Sequence, residues 1–412
     1  MLLTGLVLSV QTFAAAALIG KTDKDPLAYK VGEEMAFALR LVEAPALPEG
    51  AYLRWKTSGD DGRRQQGRAE VPGADGLVVR TRLTHPGFVR LEAEIVDRDG
   101  KSLEPRLLFE GGAAAEPEKL QGCEAPSDKA FKAFWKRQRA RLRAVEMKVR
   151  KAEVKSAYPG IRACVVEIAC AGPRLVTGEL TVPTKPGKFA ARLDVDGYGF
   201  YPPNPEKRDP IWRPDDKIYL HVNAHGFKMP EFGADKAYYD DFGKSLDGYG
   251  FEKTDDPEAL YFNGMALRVM RALEFLKSLP EWDGQTLEVS GGSQGGLQTM
   301  WAAALEPSVT HVTPHVVWCC DLASRDKQGR LGGWRPEWRP SLGYYDPVNM
   351  AKWVRKTCTV DITRVGLGDY IAPPSSVTVL YNNLKCPKSI RYVQGANHYV
   401  DPPKPYVESV SR

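Results

Sequence analysis

Two rhythms divide this chain. Up to about residue 110, apolar residues recur in short runs, partly at every second position. The runs at 36–42, 51–55, 77–83 and 88–96 are separated by Ser58-Gly59-Asp60-Asp61-Gly62, His85-Pro86-Gly87 and Asp97-Arg98-Asp99-Gly100. Period two between Gly-, Pro- and Asp-rich turns predicts short strands. Several of them at this spacing predict an all-β sandwich of immunoglobulin type over residues 21–112. The segment Gly111-Gly112-Ala113-Ala114-Ala115-Glu116-Pro117 reads as a linker. A helix is predicted over 127–149, with Ser127 as N-cap and Phe131, Trp135, Leu142 and Val145 near one face. Its other face carries Lys132, Lys136, Arg139, Arg143 and Arg150. The simpler reading is a solvated face behind an aromatic stripe docked on the next domain; the alternative is a polyanion or membrane contact.

From about residue 151 strands alternate with helices. Strands are expected at 189–195, 217–222, 285–289, 311–318, 363–367 and 389–393, and helices at 257–279 and 295–305. This βαβ rhythm predicts an α/β domain over 118–412 with a mostly parallel central sheet.

With 412 residues, 43 % hydrophobic and 26 % charged, the chain can bury two cores and is not disordered. A net charge of +5, from 57 basic and 52 acidic residues, is too weak and too spread for a dedicated nucleic-acid binder. Residues 1–18 carry no charge and combine an apolar run with Ala14-Ala15-Ala16-Ala17. They read as a signal peptide, although no basic residue precedes the run, and imply a secreted or periplasmic protein. An N-terminal strand is the alternative. No later segment approaches the ~20 apolar residues of a membrane span. Seven cysteines, without C-x-x-C spacing, read as buried small hydrophobes with room for one bridge after export.

The chemistry concentrates at Gly291-Gly292-Ser293-Gln294-Gly295, a G-x-S-x-G between a β-rich and a helical segment. That strand–turn–helix context exposes a serine hydroxyl at the end of a strand, where it can act as nucleophile. Such a serine requires a base and an orienting acid, which follow it along the chain. Of His311, His315 and His398, the first two sit in an apolar strand-like run, so His398 is the candidate base. Asp369, directly after a predicted strand, is the candidate acid, with Asp321 and Asp346 as rivals. The i, i+4 pairs His221/His225 and His311/His315 lie at strands, where four residues span ~13 Å, so no metal site is expected.

At these residues the chain resembles the acetyl xylan esterase / cephalosporin C deacetylase family of α/β-hydrolases, in a branch with an extra N-terminal β-domain. The resemblance runs from about Glu118 to His398. It rests on Gly197-Tyr198-Gly199, Tyr261-Phe262, Ser290-Gly291-Gly292-Ser293-Gln294-Gly295-Gly296, Gly366-Leu367-Gly368-Asp369 with Pro373-Pro374, Tyr381-Asn382 and His398. Asn223-Ala224-His225-Gly226 and Pro280-Glu281-Trp282-Asp283-Gly284 point to the branch. The resemblance implies Ser293 as nucleophile, Asp369 as acid, His398 as base, and the backbone N–H groups of Tyr198 and Gln294 as oxyanion hole. Two positions depart from it: Asp196 stands where the family usually has His, and Ala372 where it often has Cys. The implied activity is removal of O-acetyl groups from carbohydrate, such as acetylated xylan, with no cofactor or metal. Trp318, Trp334 and Trp338 are candidate sugar-stacking residues, or else a packed lid. A broad short-chain carboxylesterase, a peptidase of the same fold and a non-catalytic carbohydrate-binding protein remain alternatives. Association into a homo-oligomer is open.

Overall fold

The computed structural model describes residues 16–73, 75–402 and 408–411. Its first seven strands are β1 (Ala17–Thr22), β2 (Met35–Val42), β3 (Tyr52–Gly59), β4 (Arg64–Ala69), β5 (Leu77–Thr81), β6 (Gly87–Val96) and β7 (Ser102–Ala115). They form two antiparallel sheets, ordered β1-β2-β5 and β4-β3-β6-β7. Along β2 the alternation sends Met35, Phe37 and Leu39 inward, where they meet Leu53, Leu91, Ile95 and Phe109. The expected β-sandwich is therefore present, with β1, the polar β4 and β7 added to the strands that the pattern predicted.

Most of the expected signal peptide, residues 1–15, lies outside the described residues. Ala17 and Leu18 open β1, and Leu18 is buried in the sandwich. The expected linker at 111–117 is corrected: Gly111–Ala115 are the buried end of β7. Small residues there allow close backbone approach. A Cβ on Gly112 would stand 2.6 Å from Leu367 O. All seven cysteines are free thiols, so no bridge forms.

The second part begins with α1 (Asp128–Arg143) and contains one ten-stranded sheet. Its strands are β8 (Val149–Val154), β9 (Ile161–Ile168), β10 (Val176–Pro183), β11 (Phe189–Val195), β12 (Ile218–Val222), β13 (Trp282–Gly292), β14 (His311–His315), β15 (Thr359–Gly366), β16 (Lys388–Val393) and β17 (Glu408–Ser411). The order is β17-β16-β15-β14-β13-β11-β12-β10-β9-β8. The six strands from β12 to β16 are parallel, flanked by antiparallel β17 on one side and β10, β9 and β8 on the other. The remaining helices are α2 (Lys236–Lys244), α3 (Tyr261–Ser278), α4 (Gln294–Leu305), α5 (Ser324–Gln328), α6 (Pro347–Met350) and α7 (Pro374–Asn383). After β11 the chain adds β12 on one side and then crosses to β13 on the other. That reversal opens a crevice at the carboxyl ends of β11 and β13, where α/β sheets bind ligands.

Helix α1 is capped as expected, with Ser127 Oγ accepting from Ala130 N–H at 3.3 Å. It stops at Arg143 instead of 149, because Val149 already pairs with Ile168 as β8. Its aromatic stripe docks: Phe131 stacks on Trp353 at 5.3 Å and Phe134 meets Tyr344 at 4.7 Å. Phe134 is 1 % exposed. Phe134→Ala is therefore expected to cost about 3–5 kcal/mol in denaturant titration; a loss below about 1 kcal/mol would show that α1 is not seated on this cluster.

Candidate active site

Ser293 sits between β13 and α4 with φ 56° and ψ −116°. A non-glycine residue holds such a conformation only when its surroundings enforce it. Ser293 N–H donates to His315 O at 3.0 Å, and Ser293 O accepts from Leu297 N–H at 3.1 Å and Trp318 N–H at 3.2 Å. The turn closes because Gly291 and Gly295 lack side chains. A Cβ on Gly291 would stand 2.7 Å from the backbone carbon of Gly295, and one on Gly295 2.5 Å from Val195 O. The hydroxyl is thereby lifted to the carboxyl edge of the sheet.

The structure brings the three chemistry-bearing side chains together. His398, five residues past β16, has Nε2 3.0 Å from Ser293 Oγ and Nδ1 2.8 Å from Asp369 Oδ2. A carboxylate can only accept, so Nδ1 carries the proton and Nε2 is left to accept from the serine hydroxyl. Asp369 is 1 % exposed and its Oδ1 accepts from Ile371 and Ala372 N–H, both at 2.8 Å. Ala372 thus serves through its backbone, where the side chain departs from the family pattern. The loop bearing His398 folds around Arg364, whose guanidinium donates to the carbonyls of Asn397, His398 and Val400. Arg364 also pairs with Asp401 at 2.8 Å.

Tyr198 follows β11, and Gly197 and Tyr198 line the same cleft as Ser293. The segment is tied to α4: Gln294 Nε2 donates to Gly197 O at 3.2 Å and Gln298 Nε2 to Asp196 O at 3.0 Å. Asp196 itself pairs with His221 Nε2 at 2.7 Å, a partner that occupies the carboxylate the family resemblance did not expect. Tyr249 stacks on the Tyr198 ring at 4.4 Å and accepts from Gly199 N–H at 3.0 Å. His225 completes the support, with Nε2 donating to Gly199 O and Nδ1 accepting from Tyr261 Oη, both at 2.8 Å. The sequence placed His225 in a stretch shared with the family branch and in an i, i+4 metal pair, but not in this role.

The rival acids are committed to other partners. Asp321 pairs with Arg330 at 2.8 Å, and Asp346 accepts from Asp321, Leu322 and Val348 N–H. Burial first, then the neighbouring Asp321, pushes Asp346 up to about 7. His311 pairs with Asp361, while His315 lines the cleft wall. No group of three or more His, Cys, Asp or Glu side chains forms a metal-binding cluster among the described residues.

The cleft measures about 720 Å³. Of the three expected tryptophans only Trp334 lines it, 43 % exposed. Trp318 is corrected: it is fully buried beneath Trp334, stacked at 5.2 Å, and offers no face to a ligand. Trp338 packs half-buried against the hydrophobic core, away from the cleft lining. Three tyrosines escaped the sequence reading: Tyr201, Tyr370 and Tyr399, exposed by 66, 46 and 72 %, share the rim with Trp334. Tyr370 and Tyr399 directly follow Asp369 and His398, which was the available signal.

The profile of the acetyl xylan esterase (AXE1) family matches residues 118–326 and 338–407. The chain belongs to the acetyl xylan esterase family. The curated acetyl esterase Axe7A of Xylanibacter ruminicola is 27 % identical over 381 residues, 87 % of this chain and 82 % of that one. In fold, the chain resembles the acetyl xylan esterase from Paenibacillus sp. R4, with a TM-score of 0.54, 21 % identity, and 69 % of this chain and 94 % of that one covered. Acetyl xylan esterase 1 from Thermoanaerobacterium sp. JW/SL YS485 gives a TM-score of 0.53 at 21 % identity, covering 70 % and 93 %. The family match establishes an esterase with the α/β-hydrolase fold. It begins beyond the sandwich and skips residues 327–337, the stretch that carries Trp334.

Burial first, then the Arg268 and Arg174 guanidinium groups, holds His225 down at about 4. An unfolded imidazole titrates near 6.5, so the unfolded chain binds more protons between these values and stability falls as pH drops through that window. His225→Gln removes this contribution. By denaturant titration, the stability of the parent minus that of the variant is expected to fall as pH drops from about 6.5 to 4.5. Asp60 and Asp346, raised by burial to about 6 and 7, act with the opposite sign but equally in both chains. A difference that stays constant or grows as pH drops would contradict a neutral, buried His225.

Proposed function

We propose that the chain is a serine esterase that removes O-acetyl groups from carbohydrate, such as acetylated xylan or xylo-oligosaccharides. The observation that carries this reading is the continuous hydrogen-bonded line from Ser293 Oγ through His398 to Asp369, at 3.0 and 2.8 Å. It opens on a cleft rimmed by aromatic side chains.

Ser293 Oγ attacks the acetyl carbonyl carbon while its proton passes to His398 Nε2. Asp369 holds the imidazole in the required tautomer and stabilises the imidazolium. The carbonyl oxygen becomes an oxyanion facing the backbone N–H groups of Tyr198 and Gln294, each donor worth on the order of 10²–10³ in rate. Collapse breaks the ester C–O bond, and the sugar oxygen leaves with the proton from His398. The acetyl group now sits on Ser293. Water, deprotonated by His398, attacks that carbonyl, acetate departs, and the serine proton returns. The cycle requires no cofactor or metal.

Acetyl selectivity is supported by the acetyl xylan esterase family and by the likeness to the acetyl esterase Axe7A. The sugar preference is supported by Trp334, Tyr201, Tyr370 and Tyr399, since pyranose rings stack on flat aromatic faces. The loop that bears Trp334 is braced from the sandwich, where Asp60 Oδ1 accepts from Leu331 N–H at 2.9 Å. The uncharged residues 1–18 support export to the periplasm or the medium, with the sandwich, through Ala115 at the end of β7, and residues 118–412 as the two mature domains. A broad short-chain carboxylesterase is the second reading, favoured by the open, solvent-facing rim.

Ser293→Ala is expected to lower kcat on a small acetyl ester by about 10⁴–10⁶-fold; parental rates in this variant would end the enzyme assignment to Ser293. Trp334→Ala is expected to raise KM for acetylated xylo-oligosaccharides about tenfold, the equivalent of 1.4 kcal/mol, and to leave KM for ethyl acetate unchanged. An equal KM for both substrates in parent and variant would favour the broad carboxylesterase.

A further inference from the structure

The loops that carry Asp369 and His398 are gripped from outside their own domain. Arg90, on β6 of the sandwich, donates through Nε to Gly368 O at 2.9 Å, one residue before Asp369. Its guanidinium also lies over the Tyr370 ring, 5.2 Å from the centroid. Glu110, on β7, pairs with Arg90 through Oε1. Its Oε2 accepts from Asn397 Nδ2 at 2.6 Å, one residue before His398. The other end of Asn397 is equally committed, since Oδ1 accepts from Tyr399 and Val400 N–H at 2.8 Å each. The turn that holds His398 is thus wound on a side chain anchored in the sandwich.

Backbone contacts reinforce the grip. Gln394, just past β16, accepts from Gly112 N–H at 2.9 Å and donates to Gly112 O at 2.7 Å. A Cβ on Gly368 would collide with Glu110 O. Asp60 holds the entry to α7, accepting from Ser375 Oγ at 3.3 Å. The side chains of Arg90 and Glu110 are only 17 and 7 % exposed. Removing a charge pair from water is costly. Directional bonds to one loop each are what this pair adds.

We propose that Arg90 and Glu110 are positioning residues for ester hydrolysis: the chain Gly368–Arg90–Glu110–Asn397 sets the separation of the acid and base loops, making the β-sandwich a clamp on the catalytic line. This rests on the assignment of Ser293, His398 and Asp369. Displacing a reacting group by about 1 Å can cost 10²-fold in rate, so a clamp of this kind acts on kcat.

The test uses the full chain with Arg90→Ala, Glu110→Ala, Glu110→Gln and, as control, Arg54→Ala. Arg54 pairs with Glu94 on the same sheet without touching the loops. Reactive serines are counted with an organophosphonate, and kcat on a small acetyl ester is expressed per reactive serine. Both alanine variants at 90 and 110 are expected to lose about 10- to 100-fold in that kcat with KM unchanged. Glu110→Gln keeps an oxygen for Asn397 but not the charge facing Arg90, and is expected to fall between Glu110→Ala and the parent. Arg54→Ala matches the parent. Parental kcat per reactive serine in Arg90→Ala and Glu110→Ala, whether or not fewer serines react, would reduce the sandwich to a stabilising cover and overturn the proposal. Should the alanine variants contain no reactive serine, parental kcat in Glu110→Gln overturns it instead. Undiminished activity in Ser293→Ala would instead refute the underlying serine assignment, a separate outcome.

Discussion

The site depends on one backbone constraint, the strained turn at Ser293. Its φ of 56° is tolerable only because Gly291 and Gly295 let strand, turn and helix close on one another. The strain is held by three backbone hydrogen bonds, one to the last residue of β14 and one to the segment that follows it. A rigid sheet below and a helix behind leave the hydroxyl a single direction to face. Every other part of the site is a device for bringing something to that fixed point.

The devices share one logic: polar side chains with little exposure are tied to backbone. Arg364 gathers three carbonyls of the His398 loop, Gln294 and Gln298 hold the carbonyls before Tyr198, and His225 holds Gly199 O. Buried groups of this kind are costly unless satisfied, and satisfied they specify one arrangement. The N-terminal sandwich extends the same logic across a domain boundary. Its Gly111 to Ala115 segment is the seam through which backbone meets backbone.

The parallel half of the fold was legible because its strands are buried on both sides and read as apolar runs. Strand β11 matches its expected limits, and α4 differs by one residue. The G-x-S-x-G turn and the chain order of acid and base were legible for the same local reason. What stayed hidden is tertiary. Strand β4, RQQGRA, has no apolar alternation and is held by its neighbour β3. The glycines of β7 look like a linker because their function is to be absent at a close approach. Trp318 and Trp334 look alike in sequence, yet one is a floor and the other a rim. Tyr201, Tyr370 and Tyr399 gain their common rim only when three separate loops converge.

The most direct measurement of the central claim is to trap the intermediate. The enzyme is mixed with excess acetyl ester, quenched in acid within the first turnovers, digested, and its peptides weighed by mass spectrometry. The account predicts one acetyl group, on Ser293, that disappears as substrate is exhausted. Steady turnover with no acetylated peptide, or with the acetyl group on another residue, would contradict it.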